Sequence, residues 1–447
     1  MKTVRFNDAL EIVRTVLAQE DLIRSKRSSE FVLIRDLYGR FRLLCPELSQ
    51  LECEKLSKLL REQLGTSSDD QRPLLFNKDF FDADGVRSNP HLQELRLDEH
   101  RTMPFLDRGV TGADWLAGSG GTVQPSTQVA HPKRVVFFGL KGGVGRTTAL
   151  CMTARHFAKL GLKVVVLDVD LESPGLGSLL LPQAEHPPLG IIDWFMEEGL
   201  GQSTGAILED MVATSPLAAE FPGSIRVAPA FGKDERCYIP KLSRVYADLV
   251  RPGSREHQSF AERFLRMLHE VEAKERPDLV LLDSRAGMHD IAATLLVRVP
   301  DALRLLFAHH SPQTWAGYGL LFGHWQAFPQ HLASFRDGLQ LVDSLMPETG
   351  REEHRDVFTT AAYNLFNETL YEDIPAGTEI GEAFNFQMDD SEAPHAAPAI
   401  FWDRKFMEFN PHERSSSFHE DELIHLVFGS LLACITQRLG IETPPKS

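Results

Sequence analysis

No two of the five cysteines (Cys45, Cys53, Cys151, Cys237 and Cys434) stand in C-x-x-C spacing, and their number is odd. No zinc site and no disulfide framework is therefore expected, and a reducing, cytoplasmic compartment fits best. Positive charge is also scarce: 47 Lys and Arg face 63 Asp and Glu, a formal net charge of −16. Such a chain repels phosphate polymers, so nucleic-acid binding would need a local basic patch that the composition does not offer. Long apolar runs are missing too. The opening "MKTVRFNDALEIV" has none before its first acid, so no secretory signal is expected there. The nearest approach to a membrane span, "LIHLVFGSLLACITQRL" at 423–439, is interrupted by His425 and carries Gln437 and Arg438 near its end. It reads as a buried C-terminal helix, and no membrane segment is expected.

What is present suits a globular protein of two or three domains, with 43% hydrophobic and 25% charged residues in 447. Residues 117–132, "AGSGGTVQPSTQVAHP", are rich in Gly, Ser, Thr and Pro and read as a linker. They separate a domain at 1–116 from one at 133–447. In the first, "FNDALEIVRTVLAQ" has helical spacing. "EFVLIRDLYGRFRLLC" reads as a β-hairpin, and "SQLECEKLSKLLREQL" as a helix capped by Ser49. A small α+β module for docking or sensing is expected, without a chemical constellation.

The second region alternates strands and helices. Strands are expected at 134–140, 163–170, 224–230, 277–287 and 302–310, with helices at 147–160, at 256–275, and from 310 through about 347. Near-continuous apolar strands between helices mark a mostly parallel, doubly wound sheet covered on both faces. Ligands of such sheets bind at the carboxyl ends of the strands. Loops at Leu140, Asp170 and Asp283 all fall there.

The first of these loops, "GLKGGVGRTT" at 139–148, nearly matches the phosphate-binding pattern G-x-x-x-x-G-K-[ST]. Leu140 stands where the first glycine belongs and Arg146 where the lysine belongs. Three readings are open: a nucleotide site with an altered cation, a site that has lost its chemistry, or coincidence. Mechanism favours a site. Gly142, Gly143 and Gly145 let the backbone wrap and point N–H groups inward. The following helix adds its positive end. Thr147 is placed for Mg²⁺ and Thr148 for an α-phosphate.

Lys141-Gly142-Gly143-Val144-Gly145-Arg146-Thr147 resembles the signature of the deviant phosphate-loop ATPases, the ParA/MinD group. That resemblance accounts for Leu140, because the group carries no glycine there. It implies an α/β ParA/MinD-like fold that binds ATP and Mg²⁺ through residues 142–148 and forms a homodimer around nucleotide. Lys141 would reach the partner's nucleotide. In "VVVLDVDLESPGLG" (164–177), Asp170 matches the acid that positions or activates the attacking water, with Asp168 in support. In "LVLLDSRAG" (279–287), Asp283 would hold the metal and Gly287 would lend its N–H to the γ-phosphate. "KGGVGRTTAL", "DLESPGL", "DSRAGMHDIAA" and "QTW" together resemble a bacterial variety, the KGGVGR-motif variant, in which arginine is the regular residue.

Arginine keeps the charge and offers a planar fork suited to phosphate, so nucleotide binding should survive. It is bulkier than lysine, and misplacement by about 1 Å can cost on the order of 100-fold in rate. A slow ATPase acting as a switch is the expectation, its partner met through the N-terminal domain or the C-terminal third. Roles in bacterial positioning, signalling or anti-phage conflict suit such a switch. The alternatives are a nucleotide-binding scaffold with little or no hydrolysis, or a DNA- or cargo-positioning ATPase. A phosphotransferase is disfavoured, because the tail "GIETPPKS" lacks tyrosines. Arg285 is read as an arginine finger or as the partner of an acid such as Asp290, and His289 as a hydrogen-bonded loop residue. His309 and His310 have no metal-ligand spacing. "APHAAPAIFWDRKF" (393–406) reads as a cap on the sheet edge, with lining of the base pocket as its alternative. Asn364 is a weak candidate for reading adenine.

Overall fold

The computed structural model describes residues 4–442 except 27, 70, 81–82, 90, 110–112, 117–130, 203, 234–236, 251–256, 328, 374–382, 408 and 414–415. All but the last two residues of the expected linker thus lie outside the described residues. The chain divides into two compact units. One comprises residues up to 123 with 248–259, and the other 124–247 with 260–447.

In the first unit, helix Phe6–Gln19 buries Ala9, Val13 and Leu17, four residues apart, which puts them on one face. β1 (Val32–Arg35) and β2 (Phe41–Leu44) form the expected antiparallel hairpin. Helix Gln50–Leu64 starts at Ser49, whose side chain accepts from the Glu52 amide while Glu52 returns to the Ser49 amide. This reciprocal cap satisfies two otherwise orphaned donors. With β3 (Leu74–Leu75), β4 (Leu92–Arg96) and β5 (Thr102–Asp107), the sheet runs β3-β2-β1-β5-β4.

The second unit is built on β6 (Lys133–Gly139), β7 (Lys163–Asp168), β8 (Ala213–Thr214) and β9 (Ser224–Ala228). A two-stranded antiparallel ribbon, β10 (Leu249–Val250) with β11 (His257–Gln258), belongs to the first unit, where Asp248 lies 3.4 Å from His91. The large sheet is completed by β12 (Leu279–Asp283), β13 (Ala302–Ala308), β14 (Leu339–Met346) and β15 (Ala399–Phe401). Its order is β15-β14-β13-β6-β12-β7-β9-β8, parallel throughout except for β8 against β9. β12 is buried along its whole length, as a central strand covered on both faces must be. Arg134 at the start of β6 makes two 2.7 Å hydrogen bonds to Glu272, which anchors helix Phe260–Glu275 to the sheet.

One expectation fails. The span from 310 to about 347 contains helices Pro312–Gln326 and Pro329–Leu332, but Leu339–Met346 is a strand. Gln340, Asp343 and Ser344 interrupt its apolar run, so neither strand alternation nor a continuous hydrophobic stretch announces it. The segment 393–406 does cap the sheet: Ala399–Phe401 forms the edge strand beside β14. Helix Asp421–Leu439 is long and apolar enough to cross a membrane. Ile424, Phe428, Leu431 and Ile435 bury its stripe in the same core as Ala149, Val166 and Leu281.

Candidate functional site

The site begins where β6 ends. Gly143 and Gly145 have φ of 76° and 74°, a left-handed backbone that L side chains rarely adopt. Gly145 then precedes helix Arg146–Lys159 directly. Among the described residues, the amides of Gly142, Gly143 and Gly145 meet no backbone or side-chain acceptor. Three amides without a protein acceptor thus stand just ahead of the positive end of a helix, an arrangement that suits an anion.

Acidic strand ends lie beside this loop. Asp168 closes β7 and Asp283 closes β12, and the two are paired across the parallel ladder. Asp170 follows two residues after Asp168. Arg146 connects them: Nε donates to Asp283 Oδ1 at 2.8 Å, and Nη2 donates to Asp170 Oδ2 at 3.0 Å. Thr147 Oγ1 donates to Asp283 Oδ2 at 3.0 Å. Arg146 is only 8% exposed, and its buried Nη1 has no hydrogen-bond partner among the described residues.

Burial shapes the charges. It raises the pKa of Asp283 and of Asp170, and the Arg146 guanidinium opposes the rise in both. Asp168 is pushed up to about 8, first by burial and then by Asp283, so it is largely protonated at neutral pH. Its Oδ2 accepts from the Gly177 amide at 3.2 Å. For Arg146, burial works against the charge, but Asp283 and Asp170 outweigh it and hold the guanidinium above its ordinary pKa.

Arg146 bridges Asp170 and Asp283 and Thr147 bonds Asp283 directly, so the three residues expected at a metal lie together. Arg146 departs from expectation: its fork engages the Asp283 and Asp170 carboxylates. Two buried acids lie within its reach, and a planar fork with several donors can meet both at once. Gly287 also departs, since its N–H donates to Gly139 O at 3.0 Å. Lys141 is exposed, and its ammonium donates to the Gln313 side chain. Val144 is buried on the same loop, and Thr148 is half-buried in the first turn of the helix.

Sequence reasoning missed Glu172. It takes the ion pair of Arg285 in place of Asp290, and the Tyr246 hydroxyl donates to it. His289 Nε2 lies 3.3 Å from the same carboxylate, while its Nδ1 accepts from the Ile291 amide at 3.4 Å. The available signal was an acid two residues beyond Asp170 in a loop already marked. His310 accepts from the Trp315 indole at 3.0 Å, and no metal-ligand cluster of His, Cys, Asp and Glu occurs among the described residues. Asn364 is exposed on helix Arg351–Thr369.

A glycine loop leaving a central parallel strand, with acids closing the next two strands on one side in the order β6-β12-β7, agrees with one comparison. Residues 135–308 match the CobQ/CobB/MinD/ParA nucleotide binding domain. The matched residues run from within β6 to the end of β13. None of the curated proteins matches the chain. Among solved structures, the chain is similar to a ParA family ATPase from Chlorobium tepidum TLS, at 14% identity over 69% of this chain and 99% of that one, with a TM-score of 0.41. It is also similar to the MinD cell division protein of Aquifex aeolicus, at 14% identity over 70% and 100%, with a TM-score of 0.40. A McdA–ATP complex from Cyanothece gives 13% identity over 71% and 100%, with a TM-score of 0.41.

Proposed function

We propose that this protein is a Mg·ATP-dependent switch of the ParA/MinD type, which hydrolyses ATP slowly and dimerises around nucleotide. The observation that carries the reading is the convergence of Arg146, Thr147, Asp170 and Asp283 beside amides that have no acceptor among the described residues. The free amides of Gly142, Gly143 and Gly145 bind phosphate oxygens, and the helix starting at Arg146 adds its positive end. The unpartnered Nη1 of Arg146 supplies a further cationic donor. Thr147 Oγ1 with the Asp170 and Asp283 carboxylates is a hard oxygen set that fits magnesium. When bound there, magnesium would neutralise charge developing on the β- and γ-phosphates. Asp170 orients the attacking water and accepts its proton.

Lys141 is exposed at the loop and so can reach a second copy of the chain, which supports dimerisation around the nucleotide. A scaffold with little hydrolysis is the second reading. It is favoured by the hydrogen bond that holds Asp170 to Arg146, away from any water-activating role. Phosphate release by wild type and Asp170→Ala separates the two. Loss of release in the variant supports the switch, and equal release in both supports the scaffold.

A further inference from the structure

The four carboxylate oxygens of Asp170 and Asp283 all accept hydrogen bonds. Asp283 Oδ1 takes Arg146 Nε and Oδ2 takes Thr147. Asp170 Oδ2 takes Arg146 Nη2, and Oδ1 takes the Ser173 amide at 3.3 Å. The guanidinium thus stands on the same two side chains that fit a divalent cation. We infer that Arg146 reserves these carboxylates: they become available to a divalent cation only when a polyphosphate draws the guanidinium away. The inference deepens the nucleotide reading and rests on it.

Displacing Arg146 without an anion to receive it would strand a buried guanidinium, which is costly in a low-dielectric interior. A phosphate removes that cost. It offers the guanidinium two oxygens in a geometry that matches its fork, and the loop amides grip the same anion. Nη1 is unpartnered among the described residues, so the turned guanidinium can engage an oxygen there without breaking a bond. Once Arg146 has turned, Asp170 and Asp283 are two buried carboxylates without their counter-charge. They then favour a divalent cation far more strongly than before. Nucleotide and metal are therefore coupled in binding, and each raises affinity for the other by the same factor. Lysine, a single ammonium on a flexible stem, cannot offer the two-armed contact made here.

Manganese titration followed by electron paramagnetic resonance tests this on the full chain. Metal held by free nucleotide is subtracted, and a fluorescent ATP analogue reports nucleotide binding in parallel. Wild type should bind Mn²⁺ at least about tenfold more weakly without a non-hydrolysable ATP analogue than with it, within the ordinary range of such couplings. Arg146→Gln should bind Mn²⁺ without nucleotide and narrow the gap. Arg146→Lys keeps a positive charge among the buried acids, guards against a variant that fails to fold, and should also narrow it. If nucleotide binds but wild type takes Mn²⁺ equally well with and without it, or if Arg146→Lys leaves the gap unchanged, the inference is overturned while the nucleotide reading stands. If no nucleotide binds at all, both fall.

Discussion

Glu172 and Arg285 form an ion pair that ties the loop after β7 to the loop after β12. Asp170 lies two residues before one partner and Gly287 two residues after the other, so a shift in either loop is passed to the other. Tyr246 and His289 contact the same carboxylate and narrow the positions it can take. In a double-mutant cycle, Glu172→Ala and Arg285→Ala should show a coupling of about 1 kcal/mol in stability, as contacting partners do. Glu172→Ala should also slow phosphate release by on the order of tenfold while nucleotide affinity changes little, because positioning is lost and phosphate contacts are not. Additive effects in the cycle would mean the two loops move independently.

Lys141 offers a prediction about assembly. The residue is exposed, and among the described residues its ammonium is held by the Gln313 side chain. Light scattering after size exclusion should show wild type doubling in mass with a non-hydrolysable ATP analogue, and Lys141→Ala keeping its ADP-state mass. A mass that never changes for wild type would remove the nucleotide-sandwich dimer.

Arg146→Lys should turn over faster than wild type. The arginine must leave two carboxylates before it can serve the phosphates. A lysine removes that competition and fits the loop as a compact charge. A gain of at least about tenfold in single-turnover rate is expected, since small errors in placing reactive groups carry large rate costs. A variant slower than wild type would show that the guanidinium fork itself serves the reaction.

Much of this was legible in the sequence because strands β6, β7 and β12 are short apolar runs that end in chemistry-bearing residues. Local turn chemistry at Gly143 and Gly145 is also written in residue type. The helix start at Ser49 and the 32–44 hairpin follow from such local rules, while Asp170 and Asp283 were singled out by the family resemblance. What was missed depends on tertiary contacts. β14 carries polar residues because its neighbours bury and bond them: the Asp343 carboxylate lies 3.0 Å from His354, and Gln340 donates to Ala396 O at 2.9 Å. The pairing of Arg285 with Glu172 joins residues 113 positions apart, which no spacing rule reports. The direction of Arg146 is likewise decided by which acids the sheet brings near it.

Acid should weaken the second unit through His156. Burial, then the charges of Arg155, His425 and Lys159, depress its pKa to about 4 in the folded chain. The unfolded chain titrates near the ordinary value of about 6.5, so it binds the extra proton first as pH falls. Stability from this group is therefore full above about pH 6.5 and declines as pH falls toward about 4. At about pH 5 the loss should reach at most about 2 kcal/mol. Urea unfolding at about pH 7 and about pH 5 should show a smaller acid loss for His156→Gln than for wild type. Equal losses would place the acid sensitivity elsewhere.

Calorimetric titration of a non-hydrolysable ATP analogue into magnesium-replete protein tests the central claim most directly. The loop amides, Arg146 and the paired acids predict a saturable heat with one site per chain, lost in Gly145→Val, whose side chain would strain a backbone at φ 74°. No heat from wild type at any concentration of the analogue would contradict the account.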